Sequence, residues 1–289
     1  MKLEQLYQSN KPDISIELFP PKTPQGLEAL WKQVDRLRLF DPAFFSVTYG
    51  AAGSTRDLTL DLVDQLKNRL ALETVCHLTV VGQSKEEIHS NLEFLRDKEI
   101  PNIMALRGDP PKGEKEFSAH ADGFHYAADL VEAAASYHYF SIAVAGFPEL
   151  HPESPDRRSD IAYLKKKVDA GASVIVTQLF FDNAHFYEFH DAARKAGIKV
   201  PIVPGILPIL SRDQVQRFTA ICKSTIPDKV SARLERLKED EAAATEYGIE
   251  LATEQAQGLL DFGCPGLHFY SLNKSGSVEV VLKNLGLAV

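Results

Sequence analysis

Residues 141–179 read SIAVAGFPELHPESPDRRSDIAYLKKKVDAGASVIVTQL, and this stretch decides the fold class. Its two ends, Ser141–Phe147 and Val174–Leu179, are short apolar runs, and a longer polar segment lies between them. A run that is apolar at nearly every position is typical of a strand in a parallel sheet that is covered on both faces. The stretch therefore predicts a strand, a crossover helix and a second strand parallel to the first.

The same alternation continues on both sides of this stretch. Further strand runs are predicted at Ile14–Phe19, Phe44–Tyr49, Val75–Val80, Ile103–Leu106, Pro201–Ile206 and Leu267–Leu272. Segments with helical spacing separate them, and Ile226–Phe262 is long enough for two extra helices before the last strand. The pattern predicts an α/β fold, a closed (β/α)8 TIM barrel in one domain over residues 1–289. An open doubly wound sheet is the alternative, although no GxGxxG motif follows any strand run.

The composition argues against several classes of protein. The net charge of −8 has the wrong sign for a surface that tracks nucleic-acid phosphates. No stretch is apolar enough to span a membrane, and the polar first ten residues lack the features of a secretory signal, so we expect a cytoplasmic protein. Cys76, Cys222 and Cys264 form no CxxC pair, so neither a disulfide framework nor a metal site is predicted.

Reactive side chains stand at the ends of the predicted strands. In a TIM barrel, the carboxyl ends of the strands and the loops after them form the active site. The strand ends carry Glu17, Thr48, His77, Asp109, Gln178 and Tyr270. The sequence therefore predicts a catalytic or binding centre at this end of the barrel.

Glu17 is the most informative of these residues. It lies between Ile16 and Leu18, close before two prolines, where partial desolvation favours the protonated carboxyl. A protonated carboxyl near neutral pH suits a general acid. A strand glutamate that faces solvent or pairs with an arginine is the alternative.

Two further features have a functional and an ordinary interpretation. Gly108 permits a close backbone approach, and Arg107 can hold a ligand phosphate, while the ordinary roles here are a salt bridge for Arg107 and a turn cap for Asp109. Gln178 offers a donor and an acceptor, which suits a pterin or a nicotinamide, but a buried hydrogen-bonded glutamine is equally ordinary.

An ordered set of motifs resembles the methylenetetrahydrofolate reductase family over residues 17–274. The motifs are ELFPPK at 17–22, SVTYG at 46–50, HLT at 77–79, ALRGD at 105–109, PELHPE at 148–153, KVDAG at 167–171, TQLFF at 177–181, PGILP at 204–208 and HFYSLNK at 268–274. No single motif is decisive, but their order and spacing are highly specific.

The resemblance implies a bacterial-type catalytic barrel that binds FAD without a covalent bond. NADH or NADPH is the implied electron donor, and a ping-pong reaction reduces 5,10-methylenetetrahydrofolate to 5-methyltetrahydrofolate through the cofactor. We expect the chain to lack the regulatory domain of animal relatives and to form a homo-oligomer. A barrel flavoprotein with another substrate and a folate or flavin binder without turnover remain the competing hypotheses.

The resemblance also assigns roles to individual residues. Glu17 is implied as the general acid that protonates the outer nitrogen of the methylene bridge, and Asp109 as the residue that contacts the pterin and tunes the flavin charge. Gln178 is expected to orient the nicotinamide and then the pterin, with Tyr270 and Lys274 on the folate side. The implied FAD-binding residues are Thr48, Tyr49, Ala51, His77, Arg107, Gly108, Asp109, Tyr126, Ala145, His151, Asp160 and Lys167.

Some positions depart from the family pattern. Leu18 and Phe147 stand where the family commonly has Phe and Tyr, and Lys274 replaces a frequent Arg. Residues 209–212, after Pro208, hold none of the aromatic side chains that often cover the pterin and nicotinamide there. The donor nucleotide and the stacking of the substrate therefore stay open.

Overall fold

The computed structural model describes residues 1–7, 11–49, 55–109 and 117–287. Its strands are β1 (Asp13–Leu18), β2 (Phe44–Val47), β3 (Thr74–Thr79), β4 (Asn102–Leu106), β5 (Ser141–Gly146), β6 (Val174–Thr177), β7 (Ile202–Val203), β8 (Gly205–Ile206) and β9 (Gly266–Tyr270). All pairs are parallel, from β1 in order to β7, and β9 pairs with both β1 and β8. The sheet therefore curls round on itself, as predicted for a TIM barrel.

The predicted strand Pro201–Ile206 is present as two segments, β7 and β8, that together fill one place in the barrel. Pro204 separates them because it has no N–H to donate to the sheet. Its carbonyl still accepts a hydrogen bond from the His268 backbone N–H at 2.9 Å. The nine segments thus fill the eight strand places of a (β/α)8 barrel.

Helices cover the outside of the barrel. They are α1 (Leu3–Leu6), α2 (Pro24–Leu37), α3 (Arg56–Asp64), α4 (Lys85–Asp97), α5 (Ala127–Ala135), α6 (Arg157–Asp169), α7 (Asn183–Lys195), α8 (Arg212–Cys222), α9 (Asp228–Arg236), α10 (Glu241–Asp261) and α11 (Gly276–Asn284). Side-chain caps fix several starts; for example, the Thr23 hydroxyl accepts from the Gly26 N–H at α2, and Ser84 and Glu87 form a capping box at α4. The two helices predicted within Ile226–Phe262 are confirmed as α9 and α10.

Alternate residues of each strand face the helices or the barrel interior. Outward residues such as Ile16, Val47 and Leu78 join the large core beneath the helices. The inward residues near the amino ends of the strands form a smaller apolar cluster with Leu3 of α1; it includes Phe44, Val75, Met104, Ala143, Val174, Val176 and Val203. The Leu3 N–H donates to Asn102 Oδ1 at 3.2 Å and to Ser141 Oγ at 3.1 Å, so α1 is fixed at this amino end.

The barrel interior becomes polar toward the carboxyl ends of the strands. The inward position after Val75 on β3 is His77, and β1 and β9 supply Glu17 and His268 at the same end. The barrel interior is therefore apolar at the amino ends of the strands and polar at their carboxyl ends, which form the mouth of the barrel. Within the described residues, no helix combines the length and the apolar character needed to cross a membrane.

Candidate active site

A carboxyl group between two imidazoles forms the centre of the polar mouth. Glu17 Oε2 lies 3.6 Å from His77 Nε2 and 3.6 Å from His268 Nε2. Glu17 is 7% exposed, His77 6% and His268 0%. Among the described residues, neither imidazole Nε2 has a hydrogen-bond partner. An unsatisfied buried polar atom destabilises a fold by about 1–3 kcal/mol, so its presence at a strand end indicates a binding or catalytic role.

The His77 ring is held in its neutral form. Burial lowers the pKa of His77 to about 4, and this effect outweighs the opposing charge of Glu17, while His268 lowers the pKa further. At neutral pH His77 therefore does not balance the charge of a Glu17 carboxylate. The centre therefore holds a buried carboxyl beside a neutral imidazole.

Tyr270 and Cys222 also line this centre. Tyr270 lies opposite Glu17 in the pairing of β1 and β9, and its hydroxyl donates to the Thr177 carbonyl at 2.7 Å. Burial, with smaller contributions from the negative charges of Asp109 and Glu17, raises the pKa of Cys222 to about 11. Cys222 thus lies close enough to both acids to sense their charge.

The loop after β4 packs closely against the end of β3 and carries charged residues. Gly108 has φ +88°, and a Cβ there would lie 2.5 Å from Val81 Cγ1, so this position requires glycine. Arg107 forms a two-pronged ion pair with Glu153, with both N···O distances 2.6 Å, and its guanidinium lies 4.7 Å from the centre of the Phe117 ring. Asp109, which follows Gly108, is exposed.

A second group of charged residues lies at the ends of β5 and α6. Lys167 Nζ donates to the Ala145 carbonyl at 2.6 Å, and burial lowers the pKa of Lys167 to about 8 against the opposing charge of Asp160. Asp160 is 8% exposed, and burial raises its pKa. Burial also lowers the pKa of His151, which senses the charges of Arg107, Asp160 and Lys167. These predicted cofactor residues are therefore close neighbours.

The remaining predicted cofactor residues are more scattered. Thr48 follows β2, and its backbone N–H donates to the Leu18 carbonyl at 2.9 Å. Tyr49 is buried, which raises the pKa of its hydroxyl. Tyr126, at the start of α5, is 65% exposed but lies near enough to Arg107 to affect the pKa of its guanidinium. Ala51 lies outside the described residues.

Gln178 follows β6 directly, and Lys274 lies in the loop after β9. The Gln178 N–H donates to the Gly146 carbonyl at 2.8 Å, and its side-chain Oε1 accepts from the Leu179 N–H at 2.9 Å. Lys274 is exposed and lines a cleft of about 480 Å³ together with Phe19, Leu210, Ser211, Asp213, Gln214, Arg217, Phe218 and Leu272.

Sequence reasoning missed four residues of this region. Phe218 supplies an aromatic ring to the cleft ten positions after Pro208, outside residues 209–212. Ser15 and His268 complete the surroundings of Glu17, and Cys222 senses the charges of Glu17 and Asp109. The polar residues Asp13, Ser15 and Glu17 on β1, and His268 and Tyr270 on β9, alternate with apolar residues. This alternation was the sequence signal that Ser15 and His268 face the barrel interior.

Comparison with known proteins gives a consistent result. Residues 2–286 match the family model described as methylenetetrahydrofolate reductase. Methylenetetrahydrofolate reductase (NADH) 1 from Arabidopsis thaliana is 43% identical over 99% of this chain and 50% of its own length. The 5,10-methylenetetrahydrofolate reductase of Salmonella typhimurium is 36% identical over 95% of this chain and 91% of its own length. The chain thus spans about half the length of the plant relatives it matches and most of the bacterial ones.

A solved structure supports the fold. A protein from Clostridium thermocellum that binds two copies of 5-methyl-5,6,7,8-tetrahydrofolic acid aligns with a TM-score of 0.68, covering 97% of this chain and 96% of that one. The sequences are 16% identical. At that identity the likeness shows the shared barrel architecture alone.

Proposed function

The chain belongs to the methylenetetrahydrofolate reductase family, and we propose from this premise that it reduces 5,10-methylenetetrahydrofolate to 5-methyltetrahydrofolate with NADH as donor and FAD as intermediate carrier. The observation that carries the proposal is the buried carboxyl of Glu17 between two imidazoles at the catalytic end of the barrel. NADH is favoured because the plant relative is named for it.

The residues at the ends of β3 to β6 fit a flavin dinucleotide. Arg107 and Lys167 bring cations to one side of the mouth, where a diphosphate needs them. His77 Nε2 is buried and unpartnered among the described residues and faces the interior. When bound, FAD supplies hydride transfer between the two substrates, which no side chain here can perform.

In this proposal the side chains of the protein bind the folate and donate one proton to it. Glu17 donates that proton to the outer nitrogen of the methylene bridge, and the dry surroundings keep water from replacing it. Asp109 contacts the pterin, and Gln178 presents its amide to the pterin or the nicotinamide. Tyr270 and Lys274 line the folate side, where the cationic Lys274 complements the carboxylates of the substrate.

Mixing experiments test this function directly. Purified protein should gain a flavin absorption spectrum when it is loaded with FAD, and NADH should bleach it in the absence of oxygen. Adding 5,10-methylenetetrahydrofolate should then restore the colour and yield 5-methyltetrahydrofolate. A flavin that binds and bleaches but is not reoxidised by this folate would favour a flavoprotein with another substrate, and a protein that takes up no flavin would contradict the cofactor assignment.

The affinity for FAD should fall as the pH rises above 8. Lys167 loses its proton near pH 8 in the folded protein, compared with 10.5 for an ordinary lysine, whereas a bound diphosphate needs it charged. Above pH 8 binding must therefore take up a proton, so the affinity should drop by up to about tenfold per pH unit. Flavin fluorescence titrations between pH 7 and pH 10 would measure this.

Two variants separate Lys167 from other titrating groups. Lys167→Arg stays charged over the whole range and should bind FAD with little pH dependence. Lys167→Met should bind FAD weakly at every pH. A pH dependence in Lys167→Arg as steep as that of the wild type would show that another group is responsible.

A further inference from the structure

His268 joins the Glu17 carboxyl to a buried hydroxyl on the same strand as Glu17. Its Nδ1 lies 2.8 Å from Ser15 Oγ, and its Nε2 faces Glu17 Oε2 at 3.6 Å. Ser15 and His268 are both 0% exposed. The ring stacks on Phe44 with centroids 6.1 Å apart and meets Tyr270 edge-on at 5.3 Å, so its orientation is fixed by packing as well.

Ser15 lies within hydrogen-bond distance of both His268 and a backbone carbonyl. Ser15 Oγ is 2.8 Å from His268 Nδ1 and 3.3 Å from the Leu267 carbonyl oxygen, which can only accept. When the serine hydroxyl donates to this carbonyl, Ser15 Oγ accepts from His268 and the ring proton is on Nδ1. In that tautomer of the neutral ring, Nε2 is an acceptor directed at Glu17 Oε2.

We propose that Ser15 and His268 are positioning residues for the proposed acid, in which Ser15 keeps the ring proton of His268 on Nδ1 and His268 Nε2 accepts a hydrogen bond from the protonated Glu17 carboxyl. A nitrogen without a proton can accept from the carboxyl only while the carboxyl keeps its own proton, which is the form that a general acid needs. The two atoms are 3.6 Å apart, which is longer than a hydrogen bond, so the carboxyl must move toward Nε2 for this bond to form.

Two His268 variants distinguish a positioning role from a structural role, because the two roles predict opposite orders of activity for them. Asparagine keeps a polar group near Nδ1, so His268→Asn preserves a bond to Ser15 but leaves Glu17 without its neighbour. Glutamine reaches the level of Nε2, so His268→Gln keeps an acceptor for Glu17. A positioning role predicts that glutamine is the better replacement, whereas a structural role, served by the Ser15 bond, predicts asparagine.

The measurement is the rate at which 5,10-methylenetetrahydrofolate reoxidises the reduced enzyme, recorded as a function of pH. We expect His268→Asn and Ser15→Ala to slow this step by about tenfold or more, because a displaced catalytic group loses rate steeply. The pH dependence of their rates should also differ from that of the wild type. His268→Gln should stay closer to the wild type in both respects, and bleaching by NADH should be unaffected in all three.

Controls separate this effect from general damage to the barrel. Ser141→Ala removes a buried hydroxyl from the opposite end of the barrel and should leave the pH profile unchanged. The other titratable groups near Glu17 are His77, Tyr270, Cys222 and, beyond Cys222, Asp109, and they are common to all these variants. Adding His268→Asn to Glu17→Gln should not slow the folate half-reaction further, because the two residues act as one unit.

An infrared measurement tests the same inference without flavin or folate. The carbonyl band of the protonated Glu17 carboxyl, identified by its loss in Glu17→Gln, should move in His268→Asn and stay near its place in His268→Gln. If asparagine equals or exceeds glutamine in both rate and spectrum, the proposal is wrong. The inference rests on the proposed role of Glu17. Full folate turnover by Glu17→Gln would refute that role itself. If Glu17→Gln lost folate turnover but His268→Asn behaved like the wild type, only the positioning role of His268 would be refuted.

Discussion

Glu17→Gln should abolish most of the folate reduction and leave the rest of the cycle intact. Glutamine has nearly the same shape and still fits between the two imidazoles, but it cannot deliver an acid proton. Losing a general acid typically slows the step it serves by about 10² to 10⁴-fold. Bleaching by NADH does not need that proton and should proceed at close to the wild-type rate. Anaerobic stopped-flow absorbance would resolve the two half-reactions.

A second Glu→Gln variant controls for the chemical change itself. Glu235 on α9 is largely exposed and pairs with Arg212 and Lys238, so Glu235→Gln removes the same charge far from the barrel interior. Both half-reactions should be normal in that protein. If Glu17→Gln also kept its folate half-reaction, the proton would have to come from elsewhere, and Asp109, which we propose contacts the pterin, would be the next candidate.

The barrel was predictable because its signal is local. Each buried strand of a parallel sheet is covered on both faces, so runs such as Val174–Leu179 are visible in the sequence without knowledge of their partners. The structure ends this strand at Thr177, and β2 ends at Val47 instead of Tyr49. The residues past these ends still bond to the sheet, as the Thr48 N–H does to Leu18, so their side chains form the site.

The surroundings of Glu17 were only partly predictable. Glu17 and His77 were identified because each lies at or near the end of a predicted strand, but the partner of Ser15 lies 253 residues away. That contact depends on the register of β1 against β9, in which Ser15 stands opposite His268, and a register cannot be read from either strand alone. Phe218 was missed for a related reason, since the face that α8 turns toward the cleft depends on its packing.

Gly108→Ala should cause a large loss of stability. With φ +88°, Gly108 has a backbone conformation that costs other residues about 1–2 kcal/mol. The added Cβ would also lie 2.5 Å from Val81 Cγ1 and 3.0 Å from Thr79 Cβ, and both neighbours are buried and cannot move aside. Overpacking of this kind costs about 1–3 kcal/mol. We expect the free energy of unfolding to fall by about 2–5 kcal/mol in denaturant titrations.

Gly263→Ala and Val81→Ala divide that loss into its two causes. Gly263 has a similar φ of +94°, but nothing lies within 4 Å of its Cβ position, so Gly263→Ala should show the backbone cost alone. Adding Val81→Ala to Gly108→Ala removes the clashing methyl, and the pair should be more stable than the sum of the single changes implies. If Gly108→Ala were no worse than Gly263→Ala, the close packing of this loop against Val81 would not matter. If the variant with both Gly108→Ala and Val81→Ala regained its stability but still bound FAD poorly, this would show that the ligand itself needs the bare backbone at Gly108.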